Sequence, residues 1–187
     1  ANGHREPTTR GCGTGDIKTM LETGNLGGKC ADLNALFVGL CRAVGIPARD
    51  VYGLRLAPSA FPYKELGANS ANLKGAQHCR AEVYLKSHGW VAMDPADVLK
   101  VMRQETAEWI KDPKHPVAAP VHANLFGRWE GNWVGWNTAH DIRLPGSSAK
   151  GTLPFLMYPN GENASGAFDS LSPDTFKYVI SAKEITA

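Results

Sequence analysis

The sequence predicts an α+β fold, with one amphipathic helix packed on an antiparallel sheet. Three observations carry that expectation. A helix-period apolar stripe runs from Leu33 to Val44, an alternating strand pair spans residues 77–95, and helical patterns come before the strands rather than between them. The 187 residues are 43% hydrophobic and 20% charged, an ordinary globular composition that suits one domain of moderate size. The net charge is +2, so nothing in the charge balance points to nucleic acid or to an anionic membrane. No apolar run approaches the ~20 residues of a membrane span. The chain opens on Ala1 with no visible signal-peptide pattern, which says little about compartment.

Residues 1–16 are rich in Gly, Thr, Pro and Arg and read as an irregular lead-in. Ile17, Met20 and Leu21 give a short helical pattern over 16–22, and Gly24 to Gly28 form a turn into the main helix. There, apolar residues at 33, 36, 37, 40, 41 and 44 mark one helix face, closed by Gly45 and Pro47. Residues 47–56 have strand character, and 57–76, with two prolines, two glycines and several Asn and Ser residues, read as a long loop. Next comes a hairpin, 77–85 and 90–95 around Ser87. Its first arm sets Cys79, Ala81, Val83 and Leu85 on one face and His78, Arg80, Glu82 and Tyr84 on the other. A weaker helical pattern covers 97–111. Trp129, Trp133 and Trp136 recur at i, i+4, i+7 like an aromatic helix stripe, best read as core or cleft wall. Short strands are expected at 153–159 and 178–180.

Cys30 falls at the start of the main helix, where free N–H groups and the dipole favour an anion. A thiol so placed is drawn toward thiolate, with pKa values that can fall from about 8.5 to roughly 3.5–7.5. Lys29 adds a positive neighbour. The competing reading is a small buried residue, since free cysteines are often core. Cysteines 12, 30, 41 and 79 contain no C-x-x-C pair and no zinc-finger spacing, so neither a structural zinc site nor a disulfide framework is expected. Cys30 and Cys41 share a helix face but stand roughly 16 Å apart, too far to bridge.

A cysteine nucleophile needs a base beside the sulfur and a group to orient that base. His78 opens one hairpin arm and Asp94 closes the other. Both numbers are even, so the two share a face only if opposed residues have an even sum, which requires a loop of odd length. With a sum of 174, Asp94 faces Arg80 and His78 is its diagonal neighbour. A four-residue loop without a bulge would separate them. Taken singly, His78 reads as an ordinary histidine and Asp94-Pro95 as a strand-ending turn.

Four segments resemble successive signatures of the transglutaminase-like superfamily. They are Gly28-Lys29-Cys30-Ala31-Asp32, Cys41 to Arg49, His78-Cys79-Arg80-Ala81-Glu82-Val83-Tyr84 and Gly89 to Pro95, and the match runs from about 27 to 97. The resemblance implies a papain-like core over about 16–112, followed by an extension over about 120–187, all within a single transglutaminase-like domain. It implies Cys30 as nucleophile, His78 as general base and acid, and Asp94 as orienter. Residues 125–159 look similar to the C-terminal part of bacterial transglutaminase-like proteins, which are often exported, so a periplasmic or extracellular setting is expected. Arg80 departs from the aromatic that many members carry two positions after the histidine, which makes the cleft beside the base more polar. The acidic clusters of calcium-regulated animal transglutaminases are not evident, so no metal and no cofactor are expected.

The function that follows is acyl transfer from a protein or peptide-like amide through an acyl-thioester, ending on water or on an amine. The oxyanion would face the Cys30 N–H, with Asn25 or Gln77 as side-chain donor. A non-catalytic peptide- or wall-binding module on the same fold, built on the three tryptophans, is the alternative.

Overall fold

Fourteen residues from Cys30 to Ala43 form the helix the apolar stripe calls for, and the sheet lies against its buried side. The computed structural model describes residues 3–61, 63–172 and 174–185. Its elements run β1 (His4–Arg5), α1 (Ile17–Thr23), β2 (Gly27–Gly28), α2 (Cys30–Ala43), β3 (Ala48–Arg55), a 3-10 turn (Lys64–Leu66), β4 (Gln77–Leu85), β5 (Gly89–Met93), α3 (Pro95–Gln104) and α4 (Ala118–Asn124). The C-terminal part adds β6 (Phe126–Gly127), β7 (Trp133–Asn137), β8 (His140–Ile142), β9 (Leu153–Phe155), β10 (Glu162–Asn163) and β11 (Gly166–Ala167). One five-stranded sheet, ordered β6-β5-β4-β3-β7 and antiparallel throughout, makes this an α+β protein. Among the described residues no helix is long and apolar enough to cross a membrane.

Helix α2 covers the middle of that sheet. Val38, Phe37 and Cys41 pack on Ala48, Ala81 and Val83, so period-3.6 and period-2 patterns meet in one apolar layer. Asn34, buried in that interface, donates from Nδ2 to the Cys79 carbonyl (2.8 Å) and ties the helix to β4. The β4–β5 hairpin turns through the three residues Lys86, Ser87 and His88, with Gly89 in the left-handed region (φ +71°) that such loops require. Ala81 opposes Met93 and Glu82 opposes Ala92, the 174 register.

Three expected elements differ. Helix α3 begins at Pro95 and ends at Gln104, so Trp109 and Ile110 lie outside it. Asp94 caps the helix and Pro95 opens it, which fixes the start two residues early. Beyond its end the chain doubles back, and the Ile110 N–H bonds the Met102 carbonyl. The three tryptophans form no helix stripe. Trp133 and Trp136 belong to strand β7 and Trp129 to the loop before it. Gly131 and Gly135 weaken a helix there, and pairing with β3 decides the outcome. Residues 178–180 form no strand, although the Leu73 N–H bonds the Ile180 carbonyl.

Candidate active site

Lys29 caps α2, so Cys30 is its first helical residue, among amides that have no acceptor within the helix. Asp32, two residues on, organises the surroundings. Its carboxylate accepts from the N–H groups of Lys29, Thr14 and Gly15 (3.1, 2.9 and 3.0 Å). The lead-in loop is thereby pinned to the helix start, and the Ala31 N–H bonds the Cys12 carbonyl. Gly13 (φ +90°) makes the approach feasible, because a Cβ there would fall 1.8 Å from an Asp32 oxygen.

This brings Cys12 against Cys30. Strand β4 delivers His78 and Cys79 to the same sulfur, and Cys30 is 3% exposed. Its pKa lies well below the usual thiol value. Interaction with the Cys12 thiol contributes most, then Cys79, and the His78 imidazole also favours the thiolate; burial opposes all three. Cys12 and Cys79 move the other way, up, Cys12 first by its interaction with Cys30 and Cys79 first by burial. The opposed shifts favour ionisation at Cys30 over its two neighbours, and the Cys12 thiol donates to the Gln77 carbonyl (3.3 Å).

His78 donates from Nε2 to Asp94 Oδ2 (2.7 Å). The same oxygen accepts from Arg80 Nε (3.2 Å), and Asp94 Oδ1 accepts the Asp97 N–H (3.0 Å). One carboxylate therefore caps α3 and fixes the imidazole. Asp97 stands 3.4 Å from His78 Nε2 and is ion-paired with the buried Arg55, whose other nitrogen donates to the Leu66 carbonyl (2.8 Å). Burial and Arg55 both push the His78 pKa down. Asp97 and Asp94 outweigh them, and the net shift is upward. Asp94 itself is raised, by burial first and by Asp97 second. Asp97 is held far below the ordinary carboxylate range, since Arg55 overcomes the cost of burial.

His78, Asp94 and Asp97 offer atoms within 4.8 Å of one another, a spacing that could ligate a cation. Both carboxylates already accept guanidinium groups, so a dication would sit beside two fixed positive charges. The set fits an internal ion-pair network better than a metal centre.

The cysteine, histidine and aspartate singled out in the sequence thus converge. Gln77 also belongs here. It lines the cavity with Cys30 and His78, and its buried Nε2 has no hydrogen-bond partner. Asn25 does not line that cavity, and its side chain accepts from the Gly27 N–H. Arg80, fully buried, lies 4.8 Å from the centre of the Trp133 ring and donates to the Glu130 carbonyl (2.8 Å). Trp133 bonds the His78 carbonyl (2.8 Å) and Trp129 the Met93 carbonyl (3.1 Å). Both are half-buried, so of the three tryptophans only Trp136 is exposed, and the aromatic surface invoked for a binding module shrinks to one ring. Sequence reasoning missed Cys12, Arg55 and Asp97. Only the glycines flanking Cys12 hinted at a constrained loop.

The C-terminal part reaches the site as well. Met157 shares the buried cluster of Cys12, Cys30 and Cys79, with Phe155 and Tyr158 packed against it.

A cysteine at a helix start, facing a histidine on a strand that is held by an aspartate, accords with what sequence comparison finds. The model of the transglutaminase-like superfamily matches residues 2–95, and the chain belongs to that superfamily. It is also 40% identical, over 192 residues, to an uncharacterized protein of Haemophilus influenzae (strain ATCC 51907 / DSM 11121 / KW20 / Rd). That alignment takes in 98% of this chain and 51% of the relative, so the chain spans about half the length of the curated relative it matches. No solved structure matches.

Proposed function

We propose that this protein is a cysteine-dependent acyl-transfer enzyme acting on amide bonds of peptide or peptide-like substrates. One observation carries the reading: the Cys30 sulfur, at a helix start, shares a cavity with an imidazole whose Nε2 is committed to Asp94 at 2.7 Å, and its neighbours draw that thiol toward thiolate. With Nε2 engaged, Nδ1 is the ring nitrogen left to serve the sulfur.

The Cys30 thiolate adds to the amide carbonyl and the C–S bond forms. The carbonyl oxygen takes the negative charge, facing the Cys30 N–H and the unpartnered Gln77 Nε2. The intermediate collapses, the C–N bond breaks, and protonated His78 gives its proton to the departing amine. An acyl-thioester and a neutral imidazole remain. Water or an amine then attacks the thioester, His78 accepts its proton, and the thiolate is restored. Asp94 supports the imidazolium throughout.

The test is a screen of glutamine-, peptide- and peptidoglycan-type amides, with Cys30→Ala as the blank. Turnover present in the wild type and lost by about 10⁴-fold or more in the variant is expected for a nucleophile. Full activity of Cys30→Ala on every amide turned over would overturn the proposal.

A further inference from the structure

Beside the Cys30 sulfur lies a cavity of about 150 Å³, close to the liquid volume of roughly five waters. Its walls carry four cations, Arg5, Lys29, Arg55 and Lys100, against a single carboxylate, Asp97. Two of the four are engaged within the fold. Arg55 pairs with Asp97, and Lys100 donates to the Glu65 carbonyl with that residue's carboxylate 3.5 Å away. Arg5 and Lys29 are different. Among the described residues neither forms an ion pair with a carboxylate. Arg5 uses Nε on the neutral Gln104 side chain (2.9 Å), which leaves its outer nitrogens uncommitted. Glu6, the acid closest in sequence, is turned onto the Thr8 N–H and hydroxyl (3.0 and 2.7 Å). Lys29 feels its partial burial first and the like charge of Arg5 second, and both lower its pKa against the weaker opposing pull of Cys12, Cys30 and Glu6. Two cations without an ion-pair partner therefore share a small cavity with the Cys30 sulfur and an unpartnered amide donor, Gln77 Nε2. Such an arrangement raises the local concentration of an anion that enters it.

We infer that the amide substrate carries a carboxylate within one residue of the scissile bond, and that Arg5 and Lys29 hold it. This deepens the acyl-transfer reading and rests on it. A carboxylate-bearing side chain fits the cavity volume, and its charge answers the two free cations. Neutral amides of the same size would gain nothing from either residue.

Iodoacetate and iodoacetamide test the idea without a known substrate, since they differ by one negative charge and alkylate the same sulfur. The measured quantity is the ratio of their rates at Cys30, read by peptide mass spectrometry below neutral pH and divided by the ratio for N-acetylcysteinamide. Dividing one rate by the other cancels any change in the thiolate fraction. The wild-type ratio should exceed the reference by about tenfold or more, as expected for a charge-focusing cleft. The imidazolium of His78 draws some of the anion itself. The part due to Arg5 and Lys29 is the part lost in Arg5→Gln/Lys29→Gln, and that loss should be about tenfold. The two single variants serve if the double variant does not fold. A wild-type ratio equal to the reference overturns the inference, and so does an elevated ratio that survives the substitutions. Fast iodoacetamide labelling of Cys30 with either of those results removes the carboxylate and leaves the acyl-transfer reading intact. Cys30 labelling no faster than Cys41 with iodoacetamide removes both.

Discussion

The two faces of strand β4 make an instructive contrast. On one, Ala81 and Val83 meet Val38 and Ala48 in an apolar layer beneath helix α2. On the other, His78 and Arg80 are equally buried, yet their neighbours are Asp94, Asp97 and the Trp133 ring. The first face holds the fold by area removed from water. The second keeps charge inside only because each charge is answered by another, and under the proposed function it contributes a poised imidazole rather than net stability. A strand with both faces covered can thus divide its work between apolar support and a buried ionic network.

Substitutions on the two faces should separate those roles. The largest effect is expected from Asp94→Asn. The amide can still bond the ring, but it gives the imidazolium no counter-charge and favours the wrong tautomer. On the precedent of such replacements, kcat should fall by about 10³–10⁴-fold. Near-normal turnover in that variant would dissolve the distinction between the faces. Asp97→Asn comes next, and its readout is stability. It leaves the Arg55 guanidinium buried without its partner, at a cost of about 3–5 kcal/mol in urea unfolding. On the apolar face, Val83→Ala should cost about 1–3 kcal/mol through lost contact and a cavity, with kcat preserved.

The smallest effect concerns the pH profile. Cys30 is shifted down and His78 up, and both shifts favour the thiolate–imidazolium pair over the neutral one. Turnover should rise with pH as Cys30 ionises, below the ordinary thiol range. It should fall as His78 loses its proton, above the ordinary imidazole range. Cys12→Ala removes the strongest support for the Cys30 thiolate, so the acid limb should move to higher pH while the alkaline limb stays. An unmoved acid limb would make Cys12 a bystander.

How much of this was legible in the sequence follows the same division. Helix α2 and the α+β class rest on period-3.6 and period-2 patterns, which record burial against an apolar partner. The hairpin register follows from parity, because His78 and Asp94 share a face only with an odd loop, and Lys86-Ser87-His88 is one. The reverse face was harder to read. His78 and Arg80 alternate with apolar residues as a solvent-facing row would, and periodicity does not distinguish a wet face from a buried ionic one. Arg55 and Asp97 are 42 residues apart, and their pairing depends on how β3 and α3 meet in space. Cys12 was invisible for the same reason: its partner lies across a loop pinned by Asp32, and no local pattern announces it. The tryptophan spacing misled because eight residues containing Gly131 and Gly135 are too few to fix a period.

The central claim is most directly tested by the pH dependence of iodoacetamide alkylation at each of the four cysteines. Cys30 should titrate well below an ordinary thiol and outpace Cys12, Cys41 and Cys79 throughout the acidic range. If Cys30 instead ionises at or above the ordinary thiol value and reacts no faster than the others, helix start, imidazole and carboxylate do not act together on that sulfur.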